Sequence, residues 1–296
     1  MAADATTLET HFAFGANWRR FLDRVDEDRI AAATASVRDL LGLEADERLD
    51  GASFLDAGCG SGLFSLAAHR LGAAVRSFDF DPQSVACTHE LQRRFAQPDA
   101  WTVSEGSVLD REFVTTLGTF DRVYSWGVLH HTGAMWDAVD AVADCVRPEG
   151  DLAIALYNEQ GRPSRRWRGI KAGYQTLPAF LRTPYVAAVG AGYFGWRALG
   201  KIGDTLAAPL ERGESSERRA ALSEAISRRD PRGMSRWHDL VDWVGGWPYE
   251  TATPGETVAF LATRGFSLKR LSTVGGNHGC NEFVFVRTGE ASDRPE

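Results

Sequence analysis

Three glycines at alternate positions, Gly58, Gly60 and Gly62, lie between two carboxylates, Asp56 and Asp79, and these five residues are the best placed to do chemistry. The glycines sit in FLDAGCGSGLFSLAA, which reads as a strand, a glycine-rich turn and the start of a helix. Glycine lets backbone approach a ligand closely, because no Cβ stands in the way and positive φ costs little. Asp79, 21 positions after Gly58, ends the next strand, where a carboxylate can accept hydrogen bonds from both hydroxyls of a ribose. An adenosine-containing ligand at the switch point of a sheet is therefore expected. A dinucleotide loop would call for glycine at position 63, which is Leu63, and the G-x-x-x-x-G-K-[ST] loop of a triphosphate site does not occur. Asp56 discriminates further: a carboxylate repels a pyrophosphate but attracts the ammonium and sulfonium of S-adenosylmethionine (SAM).

A second set of residues suits an acceptor. His130 and His131 follow the fourth expected strand, at the end of the sheet where ligands bind in such folds. An imidazole titrates near neutrality, so His131, with His130 beside it, is the expected catalytic base for a hydroxyl acceptor; the plainer alternative is that they bond backbone or pack on the cofactor. Tyr157 and Asn158 end the fifth strand and could orient an acceptor. Asn158 does not precede two prolines, so the amines of nucleic-acid bases are not indicated as the target. In MSRWHDLVDWVGGWPYE, Arg236, His238, Trp243 and Tyr249 suit a substrate-pocket wall alongside Asp239 and Asp242; a hydrogen-bonded connector is the alternative. In VGGNHGCNE, Asn277, His278 and Asn281 fit a tight turn at least as well as a substrate contact. Near the start, Asn17 and Trp18 could fold over the cofactor at its entrance.

The surrounding pattern says what must position these groups. Ile30, Ala33, Val37, Leu40 and Leu41 recur at helical spacing in a lead-in over 1–49. Strands are expected at 53–57, 74–80, 101–105, 120–126 and 151–157 with helices between them, then a helix at ETVAFLATRG and a closing hairpin of FSLKRLST and EFVFVRT. The expected fold is α/β, a doubly wound, seven-stranded, mostly parallel sheet with a helical insertion after the fifth strand. A cofactor domain at 50–159 and 254–290 is thus interrupted by a lid or substrate insertion at 160–253. Between Gln160 and Arg236 the chain has fifteen Lys or Arg and six Asp or Glu, a basic segment on a chain of net charge −7.

The segments FLDAGCGSG, SFDFDP, EGSVLD and DRVYSWGVLHHTG resemble the successive motifs of class I SAM-dependent methyltransferases, in the style of their ubiquinone-biosynthesis and tRNA-uridine-modifying branches. The resemblance covers 50–158 and, less closely, the last 40 residues, and leaves out the insertion. It implies that Asp56 and Gly58 face the methionine end of SAM, that Asp79 holds the ribose and that Phe80 flanks the adenine. It also implies that Ser107 and Val108 meet the adenine edge, although the family often has an acidic residue where Ser107 stands, and that Trp126 lies near the sulfonium. The implied function is methyl transfer to an oxygen, nitrogen or carbon of a small metabolite, anionic if the basic insertion attracts it. An RNA-modifying enzyme gripping phosphates with that insertion, and a SAM-binding protein without methyl transfer, are the alternatives.

Composition narrows the setting. With 44% hydrophobic and 25% charged residues the chain reads as an ordinary globular protein, not a disordered or fibrous one. No basic start with an apolar run, and no uniformly apolar stretch of spanning length, is present, so a cytoplasmic protein without a transmembrane segment is expected. Cys59, Cys87, Cys145 and Cys280 lack paired or metal-ligand spacing, so neither disulfides nor a bound metal are expected. The expected partner is a small-molecule substrate, without a stable nucleic-acid complex.

Overall fold

The computed structural model describes residues 18, 19, 21–96, 100–207, 236–276 and 278–288; the side chains of 194, 196–207, 236 and 238 are outside that description. Asn17 and Asn277 therefore lie outside the described residues, as do the side chains of Arg236 and His238.

Helix α1 (Glu27–Leu41) is framed by its own sequence: Asp26 accepts the Arg29 amide at 2.9 Å and Gly42 closes the helix at φ 69°. Its buried residues are the five expected from their spacing, Ile30, Ala33, Val37, Leu40 and Leu41. Then come β1 (Ser53–Ala57), α2 (Leu63–Arg70), β2 (Ala74–Asp79), α3 (Pro82–Phe95), β3 (Trp101–Glu105), α4 (Arg111–Leu117) and β4 (Phe120–Trp126). A single 3₁₀ turn (Leu129–His131) leads to α5 (Met135–Asp144) and β5 (Val146–Tyr157). Helices α6 (Arg162–Thr176), α7 (Ala179–Ala207) and α8 (Arg236–Gly245) fill the insertion, and α9 (Pro254–Ala262), β6 (Phe266–Ser272) and β7 (Cys280–Arg287) complete the chain.

The seven strands lie in the order β3-β2-β1-β4-β5-β7-β6. All pairs are parallel except β7 with β5 and with β6, as a hairpin tucked between β5 and its own partner requires. Alternate residues serve opposite faces: Leu55, Val123, Ile154 and Phe283 join one core, and Phe54, Tyr124, Ala153 and Val284 join the other. Helix α1 is built into the second core beside Leu66 and Leu91, and the insertion has its own cluster around Trp167, Tyr174, Val186, Leu240 and Val244. Strand β5 starts five residues earlier than its sequence suggests. The RPEG stretch reads as a turn, yet Val146 is fully buried and pairs with Phe120, and the register shift between Phe120 and Arg122 absorbs the irregularity.

Strand order reverses between β1 and β4, so the crevice of the sheet opens at their carboxyl ends. The glycine turn fills that position, and its last glycine is doubly constrained. Gly62 has φ 80°, and a Cβ there would lie 2.8 Å from Thr88 Cγ2 and 3.0 Å from the Thr88 Cα. Gly51 has φ 77° with nothing within 4 Å. Gly51→Ala should therefore cost about 1 kcal/mol, the strain of the left-handed backbone alone, whereas Gly62→Ala should cost at least about 2 kcal/mol more. Chemical denaturation of the two variants measures the difference.

Candidate active site

The turn after β1 is stitched to β2 by backbone: the Gly58 and Cys59 amides both donate to the Phe78 carbonyl, at 2.9 and 3.0 Å. That fixes the two carboxylates relative to one another. Asp79 accepts the Gly60 amide on one oxygen and the Asp81 amide on the other, both at 2.9 Å. Asp56 accepts the Ser65 hydroxyl at 2.5 Å, Ser65 accepts Ser77 at 2.8 Å, and Ser77 accepts the Trp101 indole N–H at 2.8 Å. This buried chain runs from β3 through β2 and α2 to β1 and locks Asp56 from behind.

Neither carboxylate has an ion-pair partner among the described residues. Burial pushes Asp56 up to about 7, and the charge of Asp79 adds to the rise against the Ser65 hydrogen bond. Burial likewise pushes Asp79 up to about 6, against hydrogen bonds from the Asp81 and Gly60 amides. Two buried acids without a counter-cation, next to a glycine turn, fit a ligand that brings positive charge and a diol.

The other cofactor candidates sit around this pair. Trp18 packs on the turn, since a Cβ on Gly60 would lie 3.0 Å from its Nε1. Phe80 is partly exposed beside Asp79. The Gly106 amide donates to the Asp79 carbonyl at 3.0 Å, which brings the 106–108 loop to the same edge. Val108 is buried there, and the Ser107 hydroxyl accepts the Leu109 amide at 3.2 Å. Trp126 is half-buried at the end of β4 and donates from Nε1 to Glu282 at 2.7 Å, across β5.

The acceptor candidates form an adjoining cluster. A Cβ on Gly58 would collide with Val128, 2.4 Å from Cγ1, so the chain entering the histidine turn abuts the cofactor loop. His131 Nδ1 lies 2.6 Å from the Pro248 carbonyl. A carbonyl only accepts, so Nδ1 carries a proton. His130 is fully buried, its ring centroid 3.9 Å from that of Tyr157, and neither ring nitrogen has a hydrogen bond of normal geometry. Burial, with His131 and Lys171 nearby, drives its basicity well below the usual range, so it is neutral. Tyr157 and Tyr249 are 5.3 Å apart; burial raises both phenols, that of Tyr249 to about 12, so both remain protonated. Trp243 stacks on Trp167 at 4.6 Å. Asn158 is placed differently from this ring of side chains: its amide donates to the Gly275 carbonyl and accepts from Asn281, tying β5 to the β6–β7 turn.

Lys171 is the residue that motif reading overlooked. It is fully buried, donates to the Trp243 carbonyl at 2.5 Å and the Gly246 carbonyl at 3.3 Å, and stands 5.0 Å above the rings of both Tyr157 and Tyr249. Burial brings it down to about 7. The signal was available, because Ser164, Trp167, Lys171 and Tyr174 recur at helical spacing on the inward stripe of α6. His278, read as a turn residue, accepts the Trp167 indole N–H at 2.6 Å and so also belongs to this cluster.

Sheet order, glycine turn and paired carboxylates together define the class I methyltransferase fold. Residues 55–152 match the family model described as "Methyltransferase domain". The chain is 31% identical over 144 residues to a ribosomal protein L11 methyltransferase of Methylococcus capsulatus, covering 48% of this chain and 46% of that one. It is 30% identical over 157 residues to a ubiquinone biosynthesis O-methyltransferase of Methylocella silvestris, covering 53% and 52%. The chain thus spans about half the length of the curated relatives it matches. Among solved structures, a magnesium protoporphyrin IX methyltransferase from Synechocystis shares the fold with TM-score 0.52 at 14% identity, over 97% of this chain and 99% of that one.

The raised pKa values have a consequence for binding. A cationic ligand requires ionised Asp56, which is mostly protonated in the free protein at about pH 6 and mostly ionised at about pH 8. SAM affinity should rise roughly ten-fold between those pH values and then level off, with proton release on the acidic side. In Asp56→Asn the affinity should be weaker and the rise largely gone; calorimetry at several pH values reads both.

Proposed function

We propose that the protein is a SAM-dependent methyltransferase that acts on a small molecule through a hydroxyl acceptor. The observation that carries the reading is the pair of buried carboxylates, Asp56 and Asp79, which have no counter-cation among the described residues at the switch point of the sheet. SAM supplies a methyl group on a positively charged sulfur that departs readily. The protein's share is to hold the two reactants in line and to exclude water. Asp56 and the glycine turn hold the amino-acid end, Asp79 the ribose, Phe80 with Ser107 and Val108 the adenine, and Trp18 and Trp126 close the entrance and the sulfur side.

On the acceptor side, His131 is the base. Its Nδ1 is anchored on the Pro248 carbonyl, which fixes the ring, and the imidazole takes the hydroxyl proton as the oxygen attacks. His130 supports Tyr157 from below as a neutral, buried ring, and Tyr157, Tyr249 and Trp243 form the wall of the acceptor site. The insertion at 160–253 supplies Trp243 and Tyr249 of that wall, with 50–159 and 254–290 as the cofactor domain and 1–49 as the lead-in. Lys171 joins the insertion to both tyrosines. The O-methyltransferase named among the relatives supports an oxygen acceptor, and the basic insertion supports an anionic one.

Two measurements test this. Calorimetry should show binding of S-adenosylhomocysteine and not of NAD; the reverse would remove the methyltransferase reading. With a phenolic or alcoholic acceptor identified by release of S-adenosylhomocysteine, His131→Ala should lower kcat by about 10²-fold or more with cofactor affinity unchanged. An unchanged kcat would take His131 out of the reaction.

A further inference from the structure

From Gly161 to Gly203 the chain carries eight Lys or Arg and not one Asp or Glu, on a protein of net charge −7. Helices α6 and α7 run through this segment and fold back on each other: the Tyr185 hydroxyl donates to the Ile170 carbonyl at 2.9 Å, and Trp167 lies 5.9 Å from Tyr193. Both pack on α8, which covers their inner sides through Trp167, Val186 and Leu240.

The outer side of α7 is unlike that of an ordinary surface helix. Val186 and Gly190 face inward, while Phe180, Leu181, Pro184, Ala187, Ala188 and Ala191 are exposed. Phe180 is 77% exposed and Leu181 40%. A surface helix normally presents charge there. The one charge between Pro178 and Trp196 is Arg182, and its guanidinium is turned to the Leu177 carbonyl at 3.0 Å and the Tyr174 ring at 5.4 Å. On α6, Arg162, Arg165, Arg166 and Arg168 are exposed, with no ion pair to any described residue.

We infer that the hairpin of α6 and α7 docks on an anionic lipid surface, with Phe180 and Leu181 entering the headgroup boundary and the α6 arginines resting on the lipid phosphates. No described helix is long and apolar enough to cross a membrane, so the contact is interfacial. The α7 face of Phe, Leu, Pro and Ala, with the Thr183 hydroxyl among them, adds no charge for a nucleic-acid backbone, whose phosphates would meet the α6 arginines alone. A second copy meeting its twin across this face would bring together two segments that have no acid to offset their bases. The inference goes beyond the methyltransferase reading and does not rest on it.

Co-sedimentation of the full chain with vesicles tests it. The protein should pellet with mixed phosphatidylglycerol and phosphatidylcholine vesicles, far less with pure phosphatidylcholine, and less as salt is added. Phe180→Ser with Leu181→Ser should weaken binding about ten-fold or more, and Arg165→Glu with Arg166→Glu should weaken it comparably and flatten the salt dependence. These positions are exposed, so circular dichroism and S-adenosylhomocysteine affinity should be unchanged in both variants. Equal binding to the two vesicle types, or an unaltered Phe180/Leu181 variant, overturns the inference. So does light scattering that shows a wild-type dimer made monomeric by the Phe180/Leu181 change, or single-stranded RNA that binds more tightly than the vesicles.

Discussion

Two carboxylates kept out of water, with no cation beside them among the described residues, are the constraint around which this molecule is arranged. Leaving a charge unpaired in a low-dielectric interior is costly, and proteins avoid it unless the site is used. Here the cost is borne by rigid parts. Asp79 is tied to the amides of Gly60 and Asp81, and Asp56 to a hydrogen-bonded series ending at Trp101 on the third strand. Held in place, the acids ease that cost by keeping their protons to a higher pH than exposed carboxylates do, and a bound cation would displace those protons.

The glycine turn is where those acids meet a ligand, and its glycines are needed for several reasons. Gly58 makes room for Val128, Gly60 for the Trp18 indole and Gly62 for Thr88. Each of these neighbours leads to another element: Val128 to the histidine turn, Trp18 to the N-terminal segment, Thr88 to α3. A side chain at any of the three would push an element away from the crevice. Close backbone packing therefore joins the glycine turn to the cluster of His130, His131 and Tyr157.

The insertion solves a different problem. Its helices are held by a small apolar cluster, by aromatic stacking and by one buried lysine. Lys171 donates to carbonyls at the end of α8 while its charge rests against two tyrosine faces that belong to β5 and to the chain after α8. A single side chain thereby ties the lid helices to the wall of the acceptor site.

Local rules made much of this legible in the chain itself. The apolar spacing of α1, the alternation of strands with helices, the glycine turn and the acid 21 residues on all follow from period, turn chemistry and what an adenosine needs. The seven strands and the closing hairpin follow from the same signals, whereas the order of the strands came from the structure. What only the tertiary structure decided was who meets whom across distance. His131 is oriented by Pro248, 117 residues away; Asn158 is engaged by Gly275 and Asn281; and Lys171, whose inward position the helical period allowed, acquires its neighbours from three separate segments. Sequence spacing specifies which face of an element is buried, because that depends on the geometry of one helix or strand. The partner on the other side depends on how elements pack, and no local period encodes that.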